Sequence, residues 1–533
     1  MLEHQLLLVI VLFFLMALLY LFSQRLKISY PIFLVIGGLG ISFLPHMPHV
    51  NVNPDLVFTI FLPPLLFEAA WLSSWRELWK WRRSILLLGF GLVLVTSAAT
   101  AWFSVMIIPG FTLAMGFLLG GIISPPDAVA AASVLKGMDV PRRGLTILEG
   151  ESLVNDAASL TIFRFALAAI VTGNFVVRDA LVAFSVLSVM GIVVGLAIAH
   201  VLYFILKYWA KDTSITTPMT LIAPYLMYMA AEAMEWSGVL AVVSGGLFLS
   251  FRAHDFLRYN TRIQTREVWS TVGFLLNGFV FILIGLELPV IINSLEGYSI
   301  KDAIWYAMLI SLIVIVIRIV LVYLAAYIPR WLSPKIRERE KSPGMALPFI
   351  IGWAGMRGVV SLASALAIPL TLPSGAGFPH RNIILFITFV VILVTLVFQG
   401  MTLPLFIRWM NVKEIDEHIP EEEQIEAIRL ELAKQAVAYL DANYHYEMEQ
   451  YESIHRLKEQ FARSIAATEN AARAGDRKKL VTVRGLVKKI SLELISLRRE
   501  QIQKIRLGHR YDEEVIRILE TNLDLEEARL SKA

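Results

Sequence analysis

The sequence contains no cysteine, so disulfide bonds and thiolate metal sites are both unavailable to it. That absence fits any compartment and decides nothing about location. Charge is also scarce: 17% of the 533 residues are charged, where a soluble domain carries about 25%. The formal net charge of +4 is too small to point to nucleic acid. No Gly-rich dinucleotide fingerprint, phosphate loop or nucleophile–base set appears, which leaves enzyme chemistry and a nucleotide-gated tail without support. No cofactor is expected.

What the chain has instead is apolar length, with 57% hydrophobic residues and a mean hydropathy of +0.65. The first apolar run, Leu6 to Phe22, lacks a basic segment before it and a small-residue cleavage site after it. Arg25 and Lys27 follow, so it reads as a retained membrane helix rather than a leader. A helix crosses the hydrocarbon core with about 20 apolar residues, and about thirteen such runs occur up to Met410. They lie near 5–22, 30–44, 54–73, 85–106, 111–136, 145–171, 180–207, 216–235, 237–250, 269–294, 302–328, 344–370 and 382–410. The second and ninth are short.

Basic residues crowd alternate connections: Arg25/Lys27, Arg76/Lys80/Arg82/Arg83, Lys136/Arg142/Arg143, Lys207/Lys211, Arg252/Arg258/Arg262/Arg266 and Arg330/Lys335/Arg337/Arg339/Lys341. The intervening loops His46–Asn53, Pro109–Gly110 and Thr371–His380 have almost none. By the positive-inside rule the N-terminus lies outside and the C-terminus in the cytoplasm, as an odd number of spans requires. From about Lys413 the composition turns to Glu, Lys, Arg and Gln with apolar residues at helical spacing, as in Ala427–Tyr439 and Leu480–Ile502. This tail, residues 411–533, reads as helical. It packs on itself or on a dimer mate, or serves as a regulatory domain, and its partner is open.

A charge inside a membrane costs several kcal/mol, so the few ionisable residues within spans are functional candidates. The fifth span holds Ser124-Pro125-Pro126-Asp127. Two adjacent prolines remove two backbone donors and break the helix, freeing carbonyls that can bind a cation beside Asp127. A plain structural kink is the competing reading, and the carboxylate within it favours an ion site. In the sixth span Ser152, Asn155 and Asp156 stand at i, i+3 and i+4, placing a hydroxyl, an amide and a carboxylate on one face. A carboxylate held away from water can exchange its charge for a proton, and its hard oxygens suit Na⁺. Asp156 can therefore serve proton and cation in turn.

Glu149 belongs at the cytoplasmic mouth. Glu151, about 140° round the helix from Asp156, reads as a structural charge. The chosen partner is Arg357, which lies among glycines in Gly352-Trp353-Ala354-Gly355-Met356-Arg357-Gly358; helix-end carbonyls are the alternative for that arginine. Arg318 is a second buried cation whose partner, carboxylate or carbonyls, is open. Glu68, behind Pro63-Pro64, either extends the ion site through water or reaches the cytoplasmic surface. Glu287 reads as an edge charge. The broken fifth and twelfth spans are seven apart, where an inverted repeat of six spans joined by a seventh would place equivalent helices.

These motifs resemble the bacterial monovalent cation:proton antiporters related to eukaryotic sodium/proton exchangers. The matching residues are Phe61–Glu68, Ser124–Ala130, Gly150–Asp156, Gly278–Leu288, Gly355–Gly358 and Val397–Thr402, within a resemblance covering most of 30–410. The resemblance implies an all-α integral membrane protein with about 13 transmembrane helices, inverted repeats and two unwound crossing helices. It implies a homodimer in the cell membrane, with a dimerisation part near 1–84 and 212–294 and a core part near 85–171 and 302–410. A linker helix near 180–207 would join them. It further implies a Na⁺ site at Asp127, Ser152 and Asp156 with backbone carbonyls near Pro126, reached by Glu68 through water. Glu151, Arg357 and Asn155 would support that site. Asn155 beside Asp156, where electrogenic relatives carry a second aspartate, implies electroneutral exchange of one Na⁺ or Li⁺ for one H⁺. Relatives often carry Thr at Pro126, so one hydroxyl ligand is missing here. The same machinery moving K⁺ is the runner-up. A cation channel, or a receptor whose buried charges only staple helices, represents the other classes.

Overall fold

A computed structural model describes residues 2–26, 28–43, 57–138, 140–173, 177–210, 212–293, 295, 297–373, 375–412, 414, 421–474, 477–507 and 513–531. The loop His46–Asn53, the basic residues Lys27 and Lys211, and the start of the tail at Lys413 lie outside them. The described chain is helical throughout, apart from one antiparallel bridge between Thr371 and Gly377. Among the described residues, eight helices are long and apolar enough to cross a membrane, and three shorter apolar helices accompany them. The chain is a multi-pass membrane protein. It divides into two compact units, residues 1–416 and 417–533.

The first unit runs α1 (Leu2–Leu26), α2 (Tyr30–Ser42), α3 (Leu62–Leu72), α4 (Trp75–Leu86) and α5 (Val93–Ile107). A wider π turn at Leu87–Leu92 joins α4 to α5, so the helix that carries the fourth apolar run begins about ten residues before the run itself, with the charged segment α4. Next come α6 (Leu113–Ile123), α7 (Ala128–Leu135), α8 (Arg142–Thr172), α9 (Val177–Tyr208), α10 (Thr213–Glu232), α11 (Gly238–Phe256), α12 (Tyr259–Asn293) and α13 (Ile300–Leu332). The unit closes with α14 (Pro334–Arg339), α15 (Ala346–Trp353), α16 (Val359–Leu366), α17 (Arg381–Leu393) and α18 (Gly400–Met410), the last two joined by a π turn at Val394–Gln399.

Two of these apolar stretches are interrupted. The chain between α6 and α7 leaves helical geometry at Ser124-Pro125-Pro126-Asp127, where Pro125 and Pro126 have no N–H to offer the preceding turn. The chain between α15 and α16 is non-helical through Met356, Arg357 and Gly358. Close packing holds the first interruption in place. Gly116 and Gly120 on α6 sit so near α5 that a Cβ on either would fall 2.6 Å from a backbone atom of Ala101 or Ser97.

Helix α8 is the seam between two apolar clusters. Its residues Ile147, Leu148 and Phe163 pack with α6, α13 and α17. Leu153, Ala157 and Leu160, at i, i+4 and i+7, pack with α3, α10 and α11. Asp156 rides between these two faces.

The second unit is a separate helical assembly. Helices α19 (Glu421–Asn443), α20 (His445–Gln450), α21 (Glu452–Ala474), α22 (Arg477–Leu507) and α23 (Glu513–Ser531) compose it. Lys434–Glu469 at 2.6 Å and Lys458–Asp441 at 2.5 Å tie α19 to α21. Arg498–Glu526, Arg499–Glu527 and Arg506–Glu520 tie α22 to α23 over buried Ile495, Ile516 and Leu523. The apolar spacing at 427–439 and 480–502 falls inside α19 and α22. Helices α21 and α23 carry apolar residues at the same helical spacing, Ile454, Leu457, Phe461 and Ile465 in α21 and Ile516, Leu519 and Leu523 in α23, although neither run was singled out from the sequence alone.

Candidate ion-binding site

The two interruptions meet. Asp127 donates its N–H to the Met356 carbonyl at 2.7 Å, joining the break before α7 to the break before α16. The Asp127 carboxylate caps α7, with Oδ1 accepting from Val129 N at 2.8 Å and Ala130 N at 3.2 Å. Its Oδ2 takes a longer 3.4 Å contact from Val359 N, the first residue of α16. One carboxylate thus serves the positive ends of two half-helices. Gly358 permits this approach, because a Cβ there would lie 1.8 Å from Asp127 Oδ2.

Cations occupy the complementary position. Arg357 Nη1 donates to the carbonyl of Ser124, at the C-terminal end of α6, where the helix dipole is negative. Its backbone N–H is held by Thr395 Oγ1 at 3.0 Å, in the π turn before α18. Glu151 pairs with Arg318, not with Arg357. Arg318 Nη1 and Nη2 meet the two Glu151 oxygens at 2.6 and 3.1 Å, and Nη2 also reaches the Ile351 carbonyl at 3.3 Å. The Glu151–Arg357 pairing expected from sequence does not form, for two physical reasons. Arg357 already has a helix-end carbonyl, and Gly355 leaves room for the stem of Arg318, whose Cδ would be 2.1 Å from a Cβ at that position. Arg357 still feels the Glu151 charge as attraction and the Arg318 charge as repulsion.

On α8, Ser152 Oγ accepts a 3.4 Å contact from Ala128 N, and Asn155 Nδ2 donates to the Pro126 carbonyl at 3.4 Å. Both therefore hold the broken helix, Asn155 from a fully buried position. Asp156 is 6% exposed, and no hydrogen bond reaches its carboxylate among the described residues. It lies close enough to Asp127 for the two charges to interact. Asp127, Ser152 and Asp156 line a chamber of about 50 Å³ together with Pro126, Asn277 and Ser361. That volume suits a small cation with a water molecule, each water filling about 30 Å³.

Beside the chamber lies a cavity of about 1050 Å³. Ala69, Val129, Ser152 and Asn277 line both spaces, so they form the wall between them. Glu68 lines the larger cavity and not the chamber, with its carboxylate pressed against Gly273 of α12. Exposed Glu149 also lines the larger cavity. Glu287 is half-buried near the end of α12, away from both spaces.

Sequence reasoning had not singled out Asn277, Ser361 or Thr395. Asn277 lies one residue before the matched stretch Gly278–Leu288, and a lone amide in an apolar run carries no spacing signal.

Residues 10–409 match the family model for the sodium/hydrogen exchanger, transmembrane. The sodium, potassium, lithium and rubidium/H⁺ antiporter of Bacillus pumilus is 34% identical over 387 residues, covering 70% of this chain and 57% of that protein's length. An uncharacterised Na⁺/H⁺ exchanger of Mycobacterium tuberculosis is 30% identical over 516 residues, covering 95% of this chain and 93% of that protein. Among solved structures, the sodium proton antiporter MjNhaP1 from Methanocaldococcus jannaschii has the same fold, with a TM-score of 0.58 at 20% identity. That alignment covers 75% of this chain and 99% of the other. With two interrupted helices joined at the half-buried Asp127 and a family match spanning the membrane unit, the chain belongs to the sodium/hydrogen exchanger family.

Proposed function

We propose that the protein exchanges Na⁺ or Li⁺ for H⁺ across the cell membrane, one for one, with Asp156 binding proton and cation in turn. The observation that carries the reading is the state of that carboxylate. It is buried, it has no hydrogen-bond donor among the described residues, and it lines a chamber walled by both helix breaks. A buried carboxylate of this kind calls for a counter-charge, which a proton or a small cation supplies. Asp127 is the poorer proton carrier, because three backbone N–H groups hold its charge.

Ser152, the Pro126 carbonyl and Asp127 would complete the cation shell, and Glu68 would draw ions into the larger cavity. Glu151–Arg318 and Arg357, with Asn155, would keep the breaks rigid while access alternates. About thirteen spans in inverted repeats would place the crossing breaks at the membrane centre, with the N-terminus outside and the tail in the cytoplasm. A dimer would use 1–84 and 212–294 as its fixed part and 85–171 with 302–410 as its moving part. The Bacillus relative's name, which includes potassium, is the specific reason to keep K⁺ as a second cation.

The test uses the full chain in proteoliposomes loaded with a pH dye. Na⁺ and Li⁺ gradients should drive proton movement without current, and Asp156→Asn should abolish it while the protein still folds. Exchange unaffected in that variant, or current under voltage without a counter-ion, would sink the reading. A K⁺ response matching that of Na⁺ would move the assignment to the runner-up.

A further inference from the structure

We infer that Ser361 is a ligand of the transported cation, contributed from the half-helix α16. The chamber has five polar side chains in its lining: Asp127, Ser152, Asp156, Asn277 and Ser361. Three of them are engaged by the protein. Asp127 caps two half-helices, Ser152 accepts from Ala128 N, and Asn277 Nδ2 donates to the Gly273 carbonyl at 2.9 Å. Among the described residues, Asp156 and Ser361 have no side-chain hydrogen bond. Ser361 is 1% exposed, and its Oγ is a buried atom without a partner.

A serine inside a helix ordinarily returns its hydroxyl to a carbonyl of the preceding turn. Ser361 is the third residue of α16, with no complete turn before it to accept that bond, and among the described residues its buried hydroxyl stays unpaired, which costs stability. The hydroxyls of Thr96, Ser97, Thr100, Ser104 and Thr388 are likewise buried without partners, but none of these residues lines the chamber. Among the described residues, Ser361 alone combines an unengaged hydroxyl with a place in the chamber lining that it shares with Asp156. Pro126 brings no side-chain oxygen to the same space. A partly dehydrated cation entering it needs several hard oxygens, and the Ser361 hydroxyl is a neutral one. Being neutral, it strengthens cation binding without altering the charge balance, so the exchange ratio stays with Asp156.

This inference rests on the antiport reading, and the experiment separates the two. Exchange is measured for the full chain in proteoliposomes against Na⁺, Li⁺ and K⁺ series, for wild type, Ser361→Ala and Ser361→Thr. Loss of one hydroxyl ligand should raise the apparent KM for Na⁺ about tenfold with the maximal rate little changed, and should alter the order of preference among the three ions. Ser361→Thr should restore the wild-type KM. If Ser361 were only structural, removing an unpaired buried hydroxyl would leave KM unchanged. That result, beside active wild type, overturns the inference and leaves antiport intact; inactive wild type would instead count against antiport. Should Ser361→Ala give no exchange at all, the shift in thermal unfolding produced by added Na⁺ in detergent decides. A shift equal to that of wild type overturns the inference, and a diminished one upholds it.

Discussion

Replacing Glu151 with Gln leaves the Arg318 guanidinium buried without its counter-charge. Arg318 is 1% exposed and Glu151 is fully buried, and their two contacts of 2.6 and 3.1 Å form a parallel fork. Removing one partner of such a pair costs about 3–5 kcal/mol, because the remaining charge keeps its desolvation penalty. Replacing both with neutral side chains removes that penalty as well. Glu151→Gln with Arg318→Met should therefore be more stable than the sum of the single changes by about 2–3 kcal/mol, the upper range for coupled neighbours. The assay is denaturant unfolding of the detergent-solubilised protein, read by tryptophan fluorescence, as a double-mutant cycle. A parallel cycle pairs Glu151→Gln with Arg357→Met, where the link is electrostatic at longer range. Coupling below about 0.5 kcal/mol for Glu151 with Arg318, together with larger coupling for Glu151 with Arg357, would refute the pairing and the explanation of Gly355.

Gly358→Ala should abolish exchange, because its Cβ would fall 1.8 Å from Asp127 Oδ2 and force the two breaks apart; the measurement is dye-reported exchange alongside a folding check by gel filtration. Asp127→Asn should preserve the cap of α7 and most of the stability, whereas Asp127→Ala should lose about 0.5–2 kcal/mol of it, compared by thermal unfolding. By contrast, Arg498→Ala in the second unit should change stability by no more than about 1 kcal/mol. Its pair with Glu526 is nearly half exposed on both sides, and added salt should erase the difference.

Much of the site is legible in residue types because membranes make polarity expensive. The double proline at 125–126 predicts a break, Asp127 after it is a ready helix cap, and Asp156 stands on a face with Ser152. What spacing along one helix cannot supply is the partner on another. Arg318 and Arg357 both fall under the rule that a buried cation must meet a carboxylate or helix-end carbonyls, and either could have met Glu151. The outcome depended on where the Ser124 carbonyl ends α6 and on the space left by Gly355, neither of which is a local property. The same limit hid the second role of Asp127. Its cap on α7 follows from sequence neighbours, but its contact with Val359 joins positions 232 residues apart. Ser361 and Ser364 look alike in the run Val359–Leu366, and only the chamber distinguishes them.

The claim that Asp156 carries proton and cation alternately can be tested without any membrane. Purified protein in weakly buffered detergent solution is mixed with Na⁺, and released protons are followed with a pH indicator while Na⁺ binding is measured by calorimetry. Alternate occupancy predicts one proton released for each Na⁺ bound by the wild type, and none from folded Asp156→Asn. Na⁺ binding without proton release in the wild type, or undiminished release from Asp156→Asn, would contradict it.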